Sequence, residues 1–169
     1  GEIGVDLHYN RPSIEVQRPA FRRQVRLAAR LGLPIIVHCR EAEAETLDAI
    51  EEEAAGRPGR FPGGVMHCWS GSVAGAARAV ALGLHVSFAG VVAFPNAEAL
   101  REVARTIPSE RLLVETDAPY LAPPPRRARR CEPAHIVETV RAAAAARGEE
   151  AAALAASTFE AARRLFGLE

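Results

Sequence analysis

The stretch Pro34-Ile35-Ile36-Val37-His38 decides the fold class, because a short run of β-branched residues ends there in a histidine. A run that is apolar on both faces is typical of a strand buried in a parallel sheet. Four other short segments combine a strand-like run with a metal-ligating or polar residue, at 1–6, 64–67, 85–88 and 112–117. Helical stretches separate the five segments. This alternating order of strands and helices predicts an α/β fold.

The length of the chain limits how much of a barrel it can form. An eight-stranded (β/α)8 barrel needs about 250 residues, whereas this chain has 169 residues and five candidate strands. We therefore predict an α/β fold that is a partial (β/α)8 TIM barrel, with about five of eight parallel strands and with C-terminal helices. Since no linker-like segment interrupts the sequence, a single domain is expected over residues 1–169.

Hydrophobic periodicity and helix-stopping residues predict where the elements begin and end. Helices are expected at 13–31, 42–54, 73–82, 97–106, 134–147, 149–156 and 158–166, the later strands at 64–68, 85–89 and 112–116, and a Gly/Pro-rich loop at 56–62. Pro19 is expected in the first turn of the main part of its helix, where proline is tolerated. Gly32 is expected to end that helix, and Gly148 and Ser157 to break the C-terminal helices.

The composition is that of a globular domain and excludes several classes of protein. The formal net charge is zero, with 49% hydrophobic and 25% charged residues. A neutral chain has no global basic field, so any nucleic-acid binding must come from a local patch. The sequence has no apolar run of the ~18 residues that a membrane span needs. Three cysteines without CxxC spacing favour a reducing compartment, and the cytoplasm is the predicted location.

Four residues at or near the ends of different strands are candidate metal ligands: Glu2, His38, His67 and Asp117. The C-terminal ends of parallel strands meet at one face of a β/α barrel, where such enzymes carry their active sites. Carboxylate and imidazole ligands suit divalent Mg, Mn or Zn, which activate water for hydrolysis. Each residue alone has a structural alternative, because a strand-end histidine is often only hydrogen-bonded. The four together favour a metallohydrolase.

Residues close to these ligands are candidates for substrate contact. Arg40 follows His38 by two positions, so both side chains lie on the same side of their strand. We therefore favour Arg40 as a contact to a phosphate or a carboxylate. His8 and Tyr9 follow the first strand on the same rim as Glu2, and either one could touch substrate.

The remaining polar and aromatic residues have two interpretations or a structural one. Trp69 either stacks on a base or packs, and His135 either lines the rim or caps a helix. His85 begins its strand and is expected to be structural. Cys39 and Cys68 each follow a histidine, so they should face the helices instead of the site. Phosphate binding and simple solvation are equally consistent with the arginine cluster of one loop, Arg126, Arg127, Arg129 and Arg130.

Several motifs together resemble one known family. They are GEIGVD (1–6), LPIIVHCREA (33–42), VMHCWSG (65–71), VSFAGVV (86–92), RLLVETDAPYLAP (111–123) and EPAHI (132–136). Their order and spacing are similar to those of the TatD family of metal-dependent deoxyribonucleases, which are amidohydrolase-like barrels. The resemblance extends over the whole chain. It implies hydrolysis of phosphodiester bonds in DNA, often as a 3′ exonuclease, with some members acting on RNA.

The resemblance also implies roles for individual residues. Glu2 corresponds to a carboxylate that bridges two divalent metal ions, and His38 and His67 correspond to ligands of the second ion. Asp117 corresponds to a metal ligand that helps to orient or deprotonate the attacking water. Arg40 corresponds to a position near the scissile phosphate. The complete family site would thus hold two divalent ions.

One large departure from the family pattern leaves other functions open. Family members begin with a strand that carries a His-x-His pair, followed by two more βα units before the segment that matches 1–6. We therefore expect the TatD-type domain to be N-terminally incomplete here, without two ligands of the first ion. One alternative function is hydrolysis of a small amide or ester. The other is an inactive truncated or split fragment that needs an N-terminal partner.

The first prediction concerns the oligomeric state. Five of eight strands cannot close a barrel, and open strand edges pair with other chains. We expect the isolated chain to self-associate or to be poorly soluble. Light scattering after size-exclusion chromatography measures this directly, and a monodisperse monomer with a cooperative melting transition would contradict it.

Overall fold

The computed structural model describes residues 2–9, 11–56 and 61–168. It has five strands, β1 (Glu2–Asp6), β2 (Ile35–Arg40), β3 (Gly64–Met66), β4 (Leu84–Phe88) and β5 (Leu112–Val114). Six α-helices alternate with them or follow them: α1 (Ile14–Leu31), α2 (Glu43–Ala55), α3 (Val73–Ala81), α4 (Glu98–Thr106), α5 (Ile136–Arg147) and α6 (Ala151–Phe166). Short 3₁₀ turns occupy Gly90–Ala93, Ser109–Arg111 and Pro133–His135. The α/β fold with five parallel strands confirms the predicted fold class.

The strands follow one another in the sheet in the order of the sequence, β1-β2-β3-β4-β5. The residue contacts divide the chain into two compact units, residues 1–85 and 86–169, with the boundary inside β4. In the first unit, β1 and β3 both pair with β2 in parallel. In the second unit, β4 pairs with β5 in parallel. A helix connects each strand to the next, as parallel pairing requires.

Helix α1 begins and ends where the sequence predicts, but its proline lies elsewhere. Ser13 precedes the helix in extended conformation, and Gly32 ends it with a left-handed φ of 66°. Pro19 lies inside the helix, beyond the first turn in which it was predicted. A proline there removes one backbone hydrogen bond. The helix continues past the proline, where Phe21 and Val25 are fully buried and hold it against the core.

The first unit buries a compact apolar core between its strands and its helices. Val5 of β1, Val37 of β2 and Met66 of β3 are fully buried. Helix α2 contributes Leu47 and Ile50 to the same set of buried side chains. Because alternate residues of a strand face opposite sides of a sheet, the polar residues of β1 and β2 face away from their buried neighbours.

A network of charges joins α1 to α2 above this core. Glu53 is 8% exposed, and its carboxylate accepts hydrogen bonds from Arg22 at 2.7 Å and from Arg26 at 2.7 and 2.8 Å. The bonds from Arg26 lower the pKa of Glu53 most; burial opposes them and Arg22 adds to them, so the pKa falls from 4.5 to about 2. Glu52, which is 44% exposed, pairs with Arg18 and Arg22.

The second unit is held by arginines that bond to helix ends. Arg147, at the end of α5, donates to the carbonyls of Ala104 and Ile107 at 2.5 and 2.7 Å. Arg105 of α4 donates in return to the carbonyl of Ala146 at 3.0 Å. The last turn of a helix has carbonyls without intrahelical partners. Each guanidinium therefore satisfies the orphan acceptors of the opposite helix.

Several predicted boundaries differ from the structure. Strands β3 and β5 are shorter than 64–68 and 112–116, because the chain turns sharply just beyond them. The predicted break at Ser157 is wrong, since α6 continues through it and the Ser157 hydroxyl donates to the Leu154 carbonyl at 3.0 Å. Gly1 of the first predicted strand, and Pro58 and Gly59 of the predicted loop, lie outside the described residues.

The buried carboxylate between α1 and α2 predicts a pH-dependent stability. Glu53→Gln should lower the free energy of unfolding by about 2 kcal/mol at pH 7, because it removes the charge that two arginines share. The folded pKa of Glu53 is depressed, so this contribution is present above pH 4.5 and is lost as the pH falls from 4.5 towards 2. Urea titrations of wild type and variant at pH 7 and pH 3 measure it.

Glu52→Gln is the matched control for this prediction. It removes a neighbouring carboxylate whose side chain is 44% exposed, and exposed ion pairs contribute less than about 1 kcal/mol. If the two variants lost equal stability, or if the Glu53→Gln deficit persisted unchanged at pH 3, the buried pair would not have the role described.

Candidate active site

An imidazole between two carboxylates forms the centre of the site in the first unit. The Nδ1 of His38 lies 3.0 Å from Oε1 of Glu2, and its Nε2 lies 2.9 Å from Oδ2 of Asp6. All three side chains are partly buried or exposed, so solvent and ligands can reach them. The structure thus brings together two of the predicted ligands, Glu2 and His38, and adds Asp6, to which the sequence reasoning assigned no role.

Gly4 makes this arrangement sterically possible. In the register of β1 and β2, Gly4 is the partner of His38, with Glu2 and Asp6 on either side of it along the same face of β1. A Cβ at Gly4 would overlap the carbonyl oxygen of His38 and lie 2.9 Å from its amide nitrogen. Only glycine permits such a close approach of two backbones. The missing side chain lets β1 lie against the backbone of His38, with Glu2 and Asp6 on either side.

Glu2 lies at the beginning of β1, which corrects the prediction that each ligand sits at the C-terminal end of a strand. Asp6 is the residue at that end. Glu2 still reaches His38 because residues two apart on a strand face the same way and the glutamate side chain is long. The signal for Asp6 was available in the sequence, since it ends the segment 1–6 two positions after the glycine.

Several bonds fix Asp6 more firmly than Glu2. Its Oδ1 accepts the N–H of Tyr9 at 2.9 Å, and Gln17 of α1 bonds to both its backbone N–H and its carbonyl, at 2.8 and 2.9 Å. Partial burial tends to raise the pKa of Asp6, but the bonds from Tyr9 and His38 and the nearby charge of Arg40 outweigh it and hold the pKa below its ordinary value. Asp6 is therefore an anchored anion.

The two nitrogens of His38 face carboxylates that differ in how firmly they are anchored. Nε2 faces the fixed carboxylate of Asp6, whereas Nδ1 faces Glu2, whose side chain is 45% exposed. A metal-ligating histidine commonly bonds through its other nitrogen to a carboxylate that orients the ring. In this geometry the carboxylate of Asp6 orients the ring, and Nδ1 lies 3.0 Å from Oε1 of Glu2.

Arg40 lies at the end of β2, opposite Asp6 in the register, and is exposed. Its guanidinium carbon is 5.2 Å from the centre of the Tyr9 ring, a cation–π contact. The ring of His8 meets Tyr9 edge-on at 4.9 Å. The Nδ1 of His8 is 2.8 Å from Oε1 of Glu41. The two predicted substrate contacts on this rim are therefore held by Arg40 and Glu41.

His67 directly follows β3, where the sequence predicts it, and its N–H donates to the carbonyl of Val37 at 2.9 Å. Trp69, two residues later, is only 1% exposed. Of the two interpretations of Trp69, packing is correct, because a buried indole cannot stack on a base. Trp69 is the largest fully buried side chain among the described residues.

A carboxylate at the start of α2 organises the turn after His67. Glu43 accepts the N–H of Ser72 at 2.6 Å and the Ser72 hydroxyl at 2.7 Å. Ser72 in turn caps α3 by accepting the N–H of Gly75. A carboxylate at a helix N-terminus is favoured by the helix dipole. A Cβ at Gly71 would lie 2.6 Å from a ring carbon of Trp69, so this turn also requires a glycine.

The cysteine that follows His38 faces a helix as predicted. Burial raises the pKa of the Cys39 thiol, which lies against Thr46 of α2. Cys68 follows the end of β3 with a left-handed φ of 45°, so the alternation of a strand no longer applies to it. Cys39 and Cys131 are free thiols.

In the second unit, two carboxylates follow β5. Asp117 is three residues beyond the strand end, and one of its oxygens lies within 4.8 Å of a carboxylate oxygen of Glu115. The N–H of Glu115 donates to the carbonyl of Phe88 at 3.0 Å, which extends the strand pairing by one bond. Sequence reasoning missed Glu115 as a candidate ligand. The signal was the second carboxylate two positions before Asp117, directly after the strand.

Three other residues considered in the sequence have structural contacts. The Nδ1 of His135 accepts the N–H of Glu132 at 3.1 Å, so capping is the interpretation that the structure supports. His85, in the first unit, is 7% exposed and its Nδ1 lies 3.3 Å from the carbonyl oxygen of Gly64, which confirms its structural role. In the arginine cluster, the Arg127 guanidinium carbon lies 4.4 Å from the centre of the Phe94 ring.

Left-handed backbone recurs where strands end. Glu41 follows β2 with φ 53°, Cys68 follows β3 with φ 45°, and Asp117 follows β5 with φ 54°. None of them is glycine, and such conformations cost of order 1–3 kcal/mol each. Each one lies beside or at a predicted site residue.

Comparisons with known proteins decide the family. A family model described as "TatD related DNase" matches residues 1–167. The chain belongs to the TatD-related DNase family. It is 37% identical to the uncharacterised metal-dependent hydrolase YabD of Bacillus subtilis, over 98% of this chain and 64% of YabD. It is 39% identical to the 3′-5′ ssDNA/RNA exonuclease TatD of Escherichia coli, over 99% of this chain and 65% of that enzyme.

A solved structure agrees with this TatD assignment. The crystal structure of YJJV, a TatD homologue of Escherichia coli, matches with a TM-score of 0.90 and 30% identity over 100% of this chain and 63% of that chain. The chain thus spans just under two thirds of the length of the TatD relatives that it matches.

Gly4 generates a prediction about the site. Gly4→Ala should destabilise the fold by more than about 3 kcal/mol, because the new methyl group overlaps backbone and not a flexible side chain. Thermal unfolding followed by circular dichroism measures it. Gly32→Ala is the control, since a Cβ there meets nothing within 4 Å and only the left-handed φ, worth about 1 kcal/mol, opposes it. Equal melting temperatures for the two variants would refute the steric role of Gly4.

Proposed function

We propose that this chain acts as a metal-dependent nuclease that hydrolyses phosphodiester bonds of DNA from the 3′ ends of single strands. The observation that carries the proposal is the His38 ring held between Glu2 and Asp6, in a chain that belongs to the TatD family. The E. coli relative that bears the name 3′-5′ ssDNA/RNA exonuclease supports the choice of substrate and polarity. RNA is a second substrate by the same likeness.

The residues present fit divalent metal ions. Glu2 and the Nδ1 of His38 provide an oxygen and a nitrogen ligand beside each other, with Asp6 orienting the ring. In the second unit, Glu115 and Asp117 place two carboxylate oxygens within 4.8 Å of each other as further candidate ligands. Oxygen and imidazole donors suit Mg, Mn or Zn. In the complete site two such ions, when bound, would acidify a water and polarise the phosphate.

The chain's own residues have distinct tasks in this proposal. Asp117 orients the attacking water and accepts its proton, because it is a carboxylate on the turn after β5, beside Glu115. Arg40 neutralises charge on the scissile phosphate, since its exposed guanidinium can form two parallel bonds to phosphate oxygens. Asp6 keeps the His38 ring in one orientation.

The net charge of the chain is consistent with short substrates. A net charge of zero provides no broad electrostatic attraction for long duplex DNA. Strand ends, which need only a local patch, are therefore the proposed substrate.

Among the described residues, no helix has the length and apolar character that crossing a membrane requires. The free thiols are consistent with the proposed cytoplasmic location.

The proposal predicts metal-dependent cleavage that depends on His67. A single-stranded oligonucleotide with a 5′ label, incubated with Mg²⁺ or Mn²⁺, should be shortened from its 3′ end. EDTA should abolish cleavage, and His67→Ala should lower the rate at least 100-fold, because it removes a proposed ligand. Gel electrophoresis of the products against time measures both the rate and the polarity.

His135→Ala is the matched control, because it removes an imidazole that accepts a backbone hydrogen bond and has no proposed metal contact. It should cleave like the wild type. A folded wild-type sample that binds Mn²⁺ but leaves the oligonucleotide intact would refute nuclease activity for this chain. Cleavage that survives EDTA would refute the metal mechanism.

A further inference from the structure

Tyr9 presents an exposed aromatic ring beside the proposed site. Tyr9 is 66% exposed. Its backbone N–H donates to Asp6, the carboxylate that orients His38. Tyr9 is three positions after Asp6, so its backbone lies close to the candidate ligands. An exposed ring that is tied to a functional carboxylate is placed for contact with a ligand.

Two neighbours restrict the orientation of this ring. Arg40 lies over it at 5.2 Å, and His8 meets it edge-on at 4.9 Å. His8 is itself held by Glu41 at 2.8 Å. A side chain that is already ordered loses little conformational entropy when a ligand binds. Because most of the ring is still exposed, the contacts to Arg40 and His8 orient it without covering it.

The chemistry of this surface suits one kind of ligand. An exposed tyrosine ring offers a face for stacking, and the adjacent guanidinium offers a positive charge with donors for phosphate. A nucleotide carries both complementary groups, a flat base and a phosphate, at the right scale. A small amide or ester substrate has no base to stack on the ring. Trp69, the other aromatic considered for stacking, is buried.

We propose that Tyr9 is the base-stacking residue of a subsite that holds a nucleobase next to the scissile phosphate, with Arg40 fixing the ring and contacting the phosphate. This inference rests on the proposed nuclease function. Stacking on an aromatic ring does not distinguish strongly between bases. The subsite therefore recognises the presence of a base and tolerates any sequence.

Binding measured without cleavage tests this subsite. Fluorescence anisotropy in EDTA compares a labelled single-stranded DNA with the same strand carrying abasic sugars at its last three 3′ positions. Wild type should bind the strand with bases about tenfold more tightly. Tyr9→Leu should bind both strands with equal affinity, because it removes the ring and keeps an apolar side chain. Tyr9→Phe should retain the preference.

Phe159→Leu is the matched control, because it removes an equally exposed ring, 64% exposed, from α6. It should keep the wild-type preference. If wild type binds both strands equally, or if Tyr9→Leu keeps the preference, the subsite is refuted while the nuclease proposal stands. If wild type binds neither strand and cleaves none in Mg²⁺, the nuclease proposal falls as well.

Discussion

The close approach of β1 and β2 at Gly4 is the constraint on which the site depends. A Cβ at Gly4 would overlap the carbonyl oxygen of His38, so only glycine lets the two backbones approach this closely. Gly4 is the register partner of His38, with Glu2 and Asp6 on either side of it. The metal-binding chemistry proposed here therefore begins with a steric property of one glycine.

Hydrogen bonds around the candidate ligands hold the His38 centre in position. Gln17 of α1 bonds to the backbone of Asp6 on both sides, so the helix after β1 holds the strand end that orients His38. The same helix is joined to α2 through the buried carboxylate of Glu53. The position of His38 is therefore linked, through Asp6 and α1, to the packing of the helices. A rigid scaffold of this kind supports a preorganised site.

The turns after three of the strands contain residues in a strained backbone conformation. Non-glycine residues adopt left-handed backbone after β2, β3 and β5, at Glu41, Cys68 and Asp117. Such turns reverse the chain sharply enough to present a neighbouring side chain at the strand end. Glycine would relieve the strain, but it would remove the side chain of Asp117, which is one of the proposed ligands. Function and backbone preference conflict at that residue.

Periodicity and residue type predicted the alternation of strands and helices, the parallel sheet and the end of α1 at Gly32. They also picked out four of the candidate ligands. All of these depend on local sequence. The role of Asp6, the fit of the His38 ring opposite Gly4 and the burial of Trp69 were decided by tertiary structure. Each depends on the register between strands or on packing. Local periodicity and residue type do not reveal either one. Likewise, Ser157 was expected to break a helix, but its hydroxyl found an acceptor within the helix, so the local preference was overridden.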